Sequence, residues 1–143
     1  MPHNPFNEES YLFVQVQTLC QGEPATCAPD MDVIEAARLM RDQDLSGVVI
    51  VKDGAPIGNV SVSDLRNLMV ATGGIVAGHT VGEIMAPDLI TVRGDDLVFE
   101  AIFRLPEHNI HRLVVVGDAG GLLGVIKAHD LLRLQTRLPL SIT

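Results

Sequence analysis

The sequence predicts an α/β (α+β) fold made of two β-α-β-β-α repeats, and three observations predict it. The first is a phrase written twice: "GNVSVSDL", residues 58–65, returns as "GVIKAHDL", residues 124–131. Gly58 and Gly124, Val60 and Ile126, Asp64 and Asp130, and Leu65 and Leu131 coincide, while Ser61 has become Lys127. The second is a constant offset of 65 residues upstream of that phrase, pairing Thr26 with Thr91, Val33 with Val98, Ala36 with Ala101, Val49 with Val114 and Asp53 with Asp118. One extra residue in "GDAGGLLG" relative to "KDGAPIG" then makes the offset 66. A register held over about 40 residues and broken once, in a Gly-rich turn where an insertion costs least, marks a duplicated unit. The third is a hydrophobic period that switches from helical to strand-like and back within each copy.

The elements follow in order. Thr26 or Thr91 ends a short extended segment, and an acidic loop comes next. In "DMDVIEAARLMRDQD" Val33, Ala36, Ala37 and Met40 recur at i, i+3, i+4 and i+7, the spacing of one helix face. Val98, Ala101, Ile102 and Leu105 repeat it in "DDLVFEAIFRLPEHN". Asp30 and Asp95 are placed to cap these helices or favour their positive ends, and Pro106 weakens the second. "GVVIV" and "RLVVV" read as strands buried on both faces. "KDGA" and "GDAGG" turn each into a second strand, "IGNVSV" or "LLGVIK". A closing helix begins near Asp64 or Asp130.

The expected organisation is an N-terminal segment over 1–20, a first repeat over 21–72, a linker over 73–80, a second repeat over 81–138 and a tail over 139–143. "YLFVQVQTL" in the N-terminal segment reads as strand or helix. A half of about 60 residues cannot easily cover its own sheet, so the two are expected to close into one two-fold-like body.

Composition narrows the function. At 47% hydrophobic and 20% charged, the 143 residues fit a globular chain rather than a disordered one. Aromatics are 3% with no Trp, so the core falls to Val, Ile, Leu, Met and Ala. Apolar runs such as Leu113–Val116 are strand-sized and too short to cross a bilayer, and "MPHNPFNEES" lacks the blocks of a secretory signal; a cytoplasmic location without membrane contact is expected. A net charge of −8 argues against a nucleic-acid partner. Residues 1–79 carry 10 acidic and 4 basic side chains, residues 80–143 carry 8 and 6, so the second half is the better place for an anion. Cys20 and Cys27 read as buried or half-buried thiols before a disulfide or a zinc site.

"TCAPDMDVIEAARLM" and "IMAPDLITVRGDDLVFEAIF", with "LSGVVIVKDGAPIGNVSVSDL", "NIHRLVVVGDAGGLLGVIKAHDLL" and "VGEIMAP", together resemble a tandem pair of CBS domains, the cystathionine β-synthase type repeats of a Bateman module. The resemblance covers roughly residues 12–138. It implies two repeats about a pseudo-two-fold axis with two clefts between their sheets, an adenosine-containing ligand in a cleft, and a homodimer. It further implies a role in sensing a nucleotide and biasing an effector protein, without catalysis.

The repeated phrase suits that role. A carboxylate in the first turn of a helix offers two acceptor oxygens to the hydroxyls of a ribose. The N–H groups and dipole of that turn favour an anion. On the resemblance Asp64 would hold ribose and Ser61 the phosphate side. In the second copy Asp130 is kept, but Lys127 replaces the hydroxyl, either filling the site or serving as a phosphate ligand. Arg112, preceded by His111, supports the phosphate role, whereas the matching Ser46 and Gly47 are uncharged. Thr26 and Thr91 stand as rim residues for base or sugar. Beside these uses, Asp64 and Asp130 read equally as helix caps, the two Thr as strand formers and Arg112 as a surface ion-pair residue.

Other chemistries find little purchase. His108 and His111 lack further ligands, so no metal is expected. Ser63, His129 and Asp130 do not form a triad, because His129 and Asp130 are adjacent and no nucleophile elbow exists. "TGGIVAG" reads as a flexible connector rather than a phosphate cradle. Two functions survive: a sensor of AMP, ADP or ATP, with S-adenosylmethionine or NAD as alternative ligands and no catalytic cofactor, or a ligand-free dimerisation scaffold.

Overall fold

The computed structural model describes residues 13–20, 24–87, 89–104 and 112–127. The fold is mixed α+β with two three-stranded sheets. The first repeat supplies β1 (Thr26–Cys27), α1 (Val33–Asp42), β2 (Gly47–Lys52), β3 (Ala55–Ser61) and α2 (Val62–Thr72). A short α3 (Val81–Ile84) follows. The second repeat supplies β4 (Thr91–Arg93), α4 (Val98–Arg104), β5 (Arg112–Val116) and β6 (Leu122–Lys127). The closing helix expected near Asp130, and Leu105 and Pro106, lie outside the described residues.

The duplication reaches the hydrogen-bond register. In each sheet the central strand pairs parallel with the first and antiparallel with the third. Thr26 faces Val49 as Thr91 faces Val114, and Gly47 faces Ser61 as Arg112 faces Lys127. Both hairpins carry a bulge at the matching place: partners jump from Gly58 to Pro56 past Ile57, and from Gly124 to Leu122 past Leu123. Only the turns differ. Asp53 and Gly54 have φ of 53° and 81°, both positive, the geometry of the two-residue turn that matches strand twist. The longer "GDAGG" turn closes through Gly117 N–H donating to Gly121 O at 2.8 Å, with Gly120 at φ 85°.

Two compact units result, one over residues 24–89, the other from residues 13–20 with the described part of 90–127. The first buries Cys27, Val33, Ala36, Met40, Val48, Ile50, Val60 and Val81 in one core. The second buries Val16, Leu19, Val92, Val98, Ala101, Ile102, Leu113, Val115 and Ile126. The predicted helix faces are therefore the buried ones, with Ala37 half-buried. "VQTL" of the N-terminal segment is a 3₁₀ helix, Val16–Leu19, whose Val16 and Leu19 are core residues of the second unit. Its N–H groups dock on the loop before α4, Val16 N donating to Asp96 O at 2.8 Å. Val81 of α3 enters the first core in the same way.

Helix starts differ from expectation in detail. Asp32, not Asp30, caps α1, its Oδ1 accepting Ile34 N–H at 2.8 Å. Asp30 lies two residues too early and is exposed. Asp95 is likewise no cap: it pairs with Arg93, while Glu100 accepts Leu97 N–H at 3.2 Å ahead of α4. The connector after α2 is pinned rather than loose. Gly73, at φ 67°, ends α2 in the left-handed conformation that glycine adopts without strain. Gly78 N–H then donates to Asp32 Oδ2 at 3.1 Å, and Val33 N–H to His79 O at 2.9 Å.

Candidate functional site

The repeated phrase sits where a strand runs directly into a helix. Ser61 is the last residue of β3 and the N-cap of α2, and Asp64 is the third residue of that helix. Their bonds are reciprocal. Asp64 N–H donates to Ser61 Oγ at 3.2 Å, and Asp64 Oδ2 accepts Ser61 N–H at 2.8 Å and the Ser61 hydroxyl at 3.0 Å. This is a capping box, satisfying two N–H groups that a helix start otherwise leaves without partners. Both residues are half-buried, and among the described residues all of Asp64's hydrogen bonds from Ser61 fall on Oδ2. The carboxylate thus keeps Oδ1 to accept from a ligand, beside a hydroxyl able to turn outward.

Thr26 is exposed and flanks the opposite side of the same sheet end. Thr26 pairs with Val49 and Ser61 with Gly47, so the two lie on opposite sides of β2 and two residues apart along it, about 12 Å from two strand spacings and a two-residue rise. The second sheet repeats the arrangement, with exposed Thr91 against Val114 and exposed Lys127 against Arg112. The neutral pair Gly47–Ser61 has become a pair of cations at directly opposed positions. His111 and Asp130 lie outside the described residues.

Among the described residues no group of His, Cys, Asp and Glu is arranged to hold a metal ion, and no helix is long and apolar enough to cross a membrane. Cys20 is half-buried, Cys27 buried, and both are free thiols whose pKa burial pushes up. Arg93 is exposed between Asp95 and Asp118, which hold it more firmly charged.

Sequence reasoning missed what backs each phrase. A Cβ on Gly58 would lie 2.9 Å from Met85 Cγ, and one on Gly124 2.6 Å from Cys20 Sγ. Those glycines admit the residue that follows α3 and the residue that follows the 3₁₀ helix. Asn59 and Ala86 exchange both backbone hydrogen bonds, at 3.0 and 2.8 Å, so the segment after α3 lines the edge of β3 two residues before Ser61. The signal was available: the 65-residue offset also pairs Val16 with Val81, Leu19 with Ile84 and Cys20 with Met85.

The family model of the CBS domain matches residues 16–71 and 81–137. An uncharacterised protein of Methanopyrus kandleri is 31% identical over 130 residues, 90% of this chain and 66% of the relative. The chain spans only 66%, 35% and 23% of the lengths of the first three curated relatives it matches. CBSX2, solved in complex with AMP, superposes with a TM-score of 0.66 at 24% identity, covering 86% of this chain and 96% of that one. A CBS domain pair solved with 5′-methylthioadenosine and S-adenosyl-L-methionine gives 0.70 at 23%, covering 87% and 98%. These likenesses are likenesses of fold. With a repeated β-α-β-β architecture and both copies matched, the chain belongs to the CBS domain family.

Proposed function

We propose that this CBS pair is a regulatory module, a homodimer, that binds a phosphorylated adenosine ligand of the AMP, ADP or ATP class and signals to an effector domain or partner, without catalysing a reaction itself. The observation that carries the reading is the register of Arg112 against Lys127. Like charges at directly opposed positions of an antiparallel pair are destabilising, and an anion between them reverses the sign. Asp130 and His111 belong to this site by their place in the repeat. Relatives of the same fold solved with adenosine compounds supply the ligand class.

At the first repeat the ribose hydroxyls donate to Asp64, and the Ser61 hydroxyl turns from Asp64 Oδ2 to a ligand oxygen. The ligand then replaces an internal hydrogen bond rather than leaving a group unpaired. Thr26 and Thr91 contact base or sugar. The two sites differ in charge preference. Gly47 and Ser61 put no cation at the first and tolerate the sulfonium of S-adenosylmethionine, which Arg112 and Lys127 disfavour at the second. NAD, with its pyrophosphate, suits the second. A ligand shifts the module only by binding one arrangement better than another.

Calorimetry with AMP, ADP, ATP, NAD and S-adenosylmethionine tests the reading. Binding of a phosphorylated compound, weakened by Asp64→Ala or Lys127→Ala, is expected. No heat and no thermal shift with any of the five at millimolar concentration refutes it. A ligand-free scaffold is the second reading, favoured by bare apolar side chains on the first unit, Val70 at 78% exposed and Ile75 at 72%. It predicts that Asp64→Ala leaves oligomer mass and partner binding unchanged.

A further inference from the structure

We propose that the cavity between α1 and α2 of the first repeat takes the hydrocarbon tail of a medium-chain fatty carboxylate, whose head is held at the mouth by Arg38 and Arg41. The inference goes beyond the nucleotide reading and does not rest on it.

The two helices close on the first core unequally. α1 buries Val33, Ala36 and Met40, whereas no residue of α2 is fully buried: Leu65 and Leu68 are half-buried and Met69 is 54% exposed. Between the helices lies a cavity of about 380 Å³, walled by Val33, Ile34, Ala37, Leu65, Met69 and Val76. Among the described residues its polar lining side chains are Arg38 and Arg41 alone. That volume falls at the small end of the roughly 300–1,000 Å³ of small-molecule pockets, enough for one slim molecule. Water gains little there, because aliphatic walls supply none of the about 2–4 polar partners that it needs. The thioether of Met69 can adapt to a chain laid against it.

The charge at the mouth selects the head group. Arg38 and Arg41 are neighbours at i and i+3 on α1, a spacing at which like charges repel and a shared anion is welcome. Arg41 Nε donates to Asp42 Oδ1 at 2.9 Å, which uses one of its five N–H donors, and Arg38 is outside the ion pairs formed by the described residues. A carboxylate accepts the parallel N–H groups of a guanidinium. A tail bearing hydroxyls would bury them beside no partner, and a cationic head would meet two cations. The second repeat serves as an internal contrast. The 65-residue offset maps Arg38 onto Phe103, Arg41 onto Pro106 and Ala37 onto Ile102, so both cations are gone and the small residue has become a larger one, 2% exposed. There Phe99 at 37% exposed and Phe103 at 60% form an edge-to-face pair with centroids 5.6 Å apart, a surface for an apolar neighbour rather than for an anion. Nothing in the shared architecture requires the gap or its two guanidiniums.

The test titrates the full-length chain with decanoate, below its micelle concentration, in a calorimeter, with decanol, decyltrimethylammonium and acetate as controls for charge, sign and tail. The expected result is one decanoate per chain, octanoate about 10-fold weaker for its two missing methylenes, and no binding of acetate. Arg38→Gln, at an exposed position, should weaken decanoate at least about 10-fold, and Ala37→Ile, which installs the second repeat's residue, should abolish binding. Should Ala37→Ile fail to fold, Arg38→Gln still decides. Neither change should alter affinity for AMP, and Lys127→Ser should leave decanoate binding as it was, so this inference and the nucleotide reading fail separately. The proposal is overturned by no decanoate heat, by decanol or the ammonium compound binding as well as decanoate, or by undiminished binding to Arg38→Gln. Many decanoates per chain with a lowered Tm would mark a detergent effect and overturn it too. So would sedimentation in which Arg38→Gln or Ala37→Ile changes self-association while decanoate does not bind, since a second copy would then cover the cavity.

Discussion

Adding one methyl group at Gly124 should unseat the N-terminal segment from the second sheet, and the matching change at Gly58 should be easier to absorb. A Cβ on Gly124 would lie 2.6 Å from Cys20 Sγ and 2.8 Å from Cys20 Cβ. A Cβ on Gly58 would lie 2.9 Å from Met85 Cγ, nearer still to Sδ, and 3.1 Å from Ala86 O. Overpacking of this kind costs about 1–3 kcal/mol, and replacing glycine in a strand returns about 0.5–1 kcal/mol. The net loss is then about 1–2 kcal/mol, or about 4–8 °C in Tm. The escapes differ. Met85 is unbranched and can swing its thioether away, whereas the Cys20 Cβ is fixed to the backbone. Met85→Ala should therefore rescue Gly58→Ala, with a coupling of about 1–2 kcal/mol. Cys20→Ala keeps its Cβ and should not rescue Gly124→Ala; Cys20→Gly should. Urea melts of the single and double variants, followed by circular dichroism, measure each term. A neutral Gly124→Ala, or full rescue by Cys20→Ala, refutes the reasoning.

Asp32→Ala removes the acceptor for both Ile34 N–H and Gly78 N–H and should cost about 1–2 kcal/mol, with faster hydrogen exchange at Gly78. Lys127→Ser restores the first repeat's residue: it should raise the stability of the ligand-free chain by about 0.2–1 kcal/mol in urea melts while lowering its affinity for AMP in calorimetry. Burial raises the Cys27 thiol pKa, so folding favours the neutral form. That stability is fully present below the unfolded thiol value, about 8.5, and is lost as pH rises through the folded one; alkaline melts should decline accordingly, and disulfide-exchange labelling of Cys27 should wait for unfolding.

Much of this architecture could be read from the chain because the duplication repeats local signals. Asp53-Gly54 announces its turn, alternation announces β3, and helical spacing announces α1 and its buried Val33, Ala36 and Met40. Ser61-x-x-Asp64 is a capping signature in sequence and a capping box in space. The α1 cap lies two residues from the expected one because two aspartates, Asp30 and Asp32, precede Val33 and only backbone geometry selects Asp32. What pattern could not supply was long-range partnership. Val16–Leu19 and Val81–Ile84 are four residues each, too short for a period, and nothing local says which sheet they cover. The opposition of Arg112 and Lys127 was latent in the hairpin but needed the bulge at Leu123 to fix the register.

Two backbones that agree down to the bulge make their differences informative. Gly47–Ser61 and Arg112–Lys127 hold the same sheet position, so nothing in the register requires two cations there. Ile34 and Phe99 hold the same helix position, so α4 has no architectural need for an exposed ring. Both departures run against the stability of the isolated chain. A like-charged cross-strand pair forfeits several tenths of a kcal/mol, and a bare phenylalanine forfeits much of the roughly 1.5–3 kcal/mol that burial returns. On the proposed reading, both become favourable once an anion or another apolar surface arrives. The two departures therefore separate experimentally. Lys127→Ser should act on nucleotide affinity and spare self-association measured without ligand, while Phe103→Ala should weaken self-association and leave the nucleotide contacts intact. If either substitution destabilised the isolated chain by more than about 1 kcal/mol, its side chain would be serving the fold itself, and the reading of that position as a contact residue would fall.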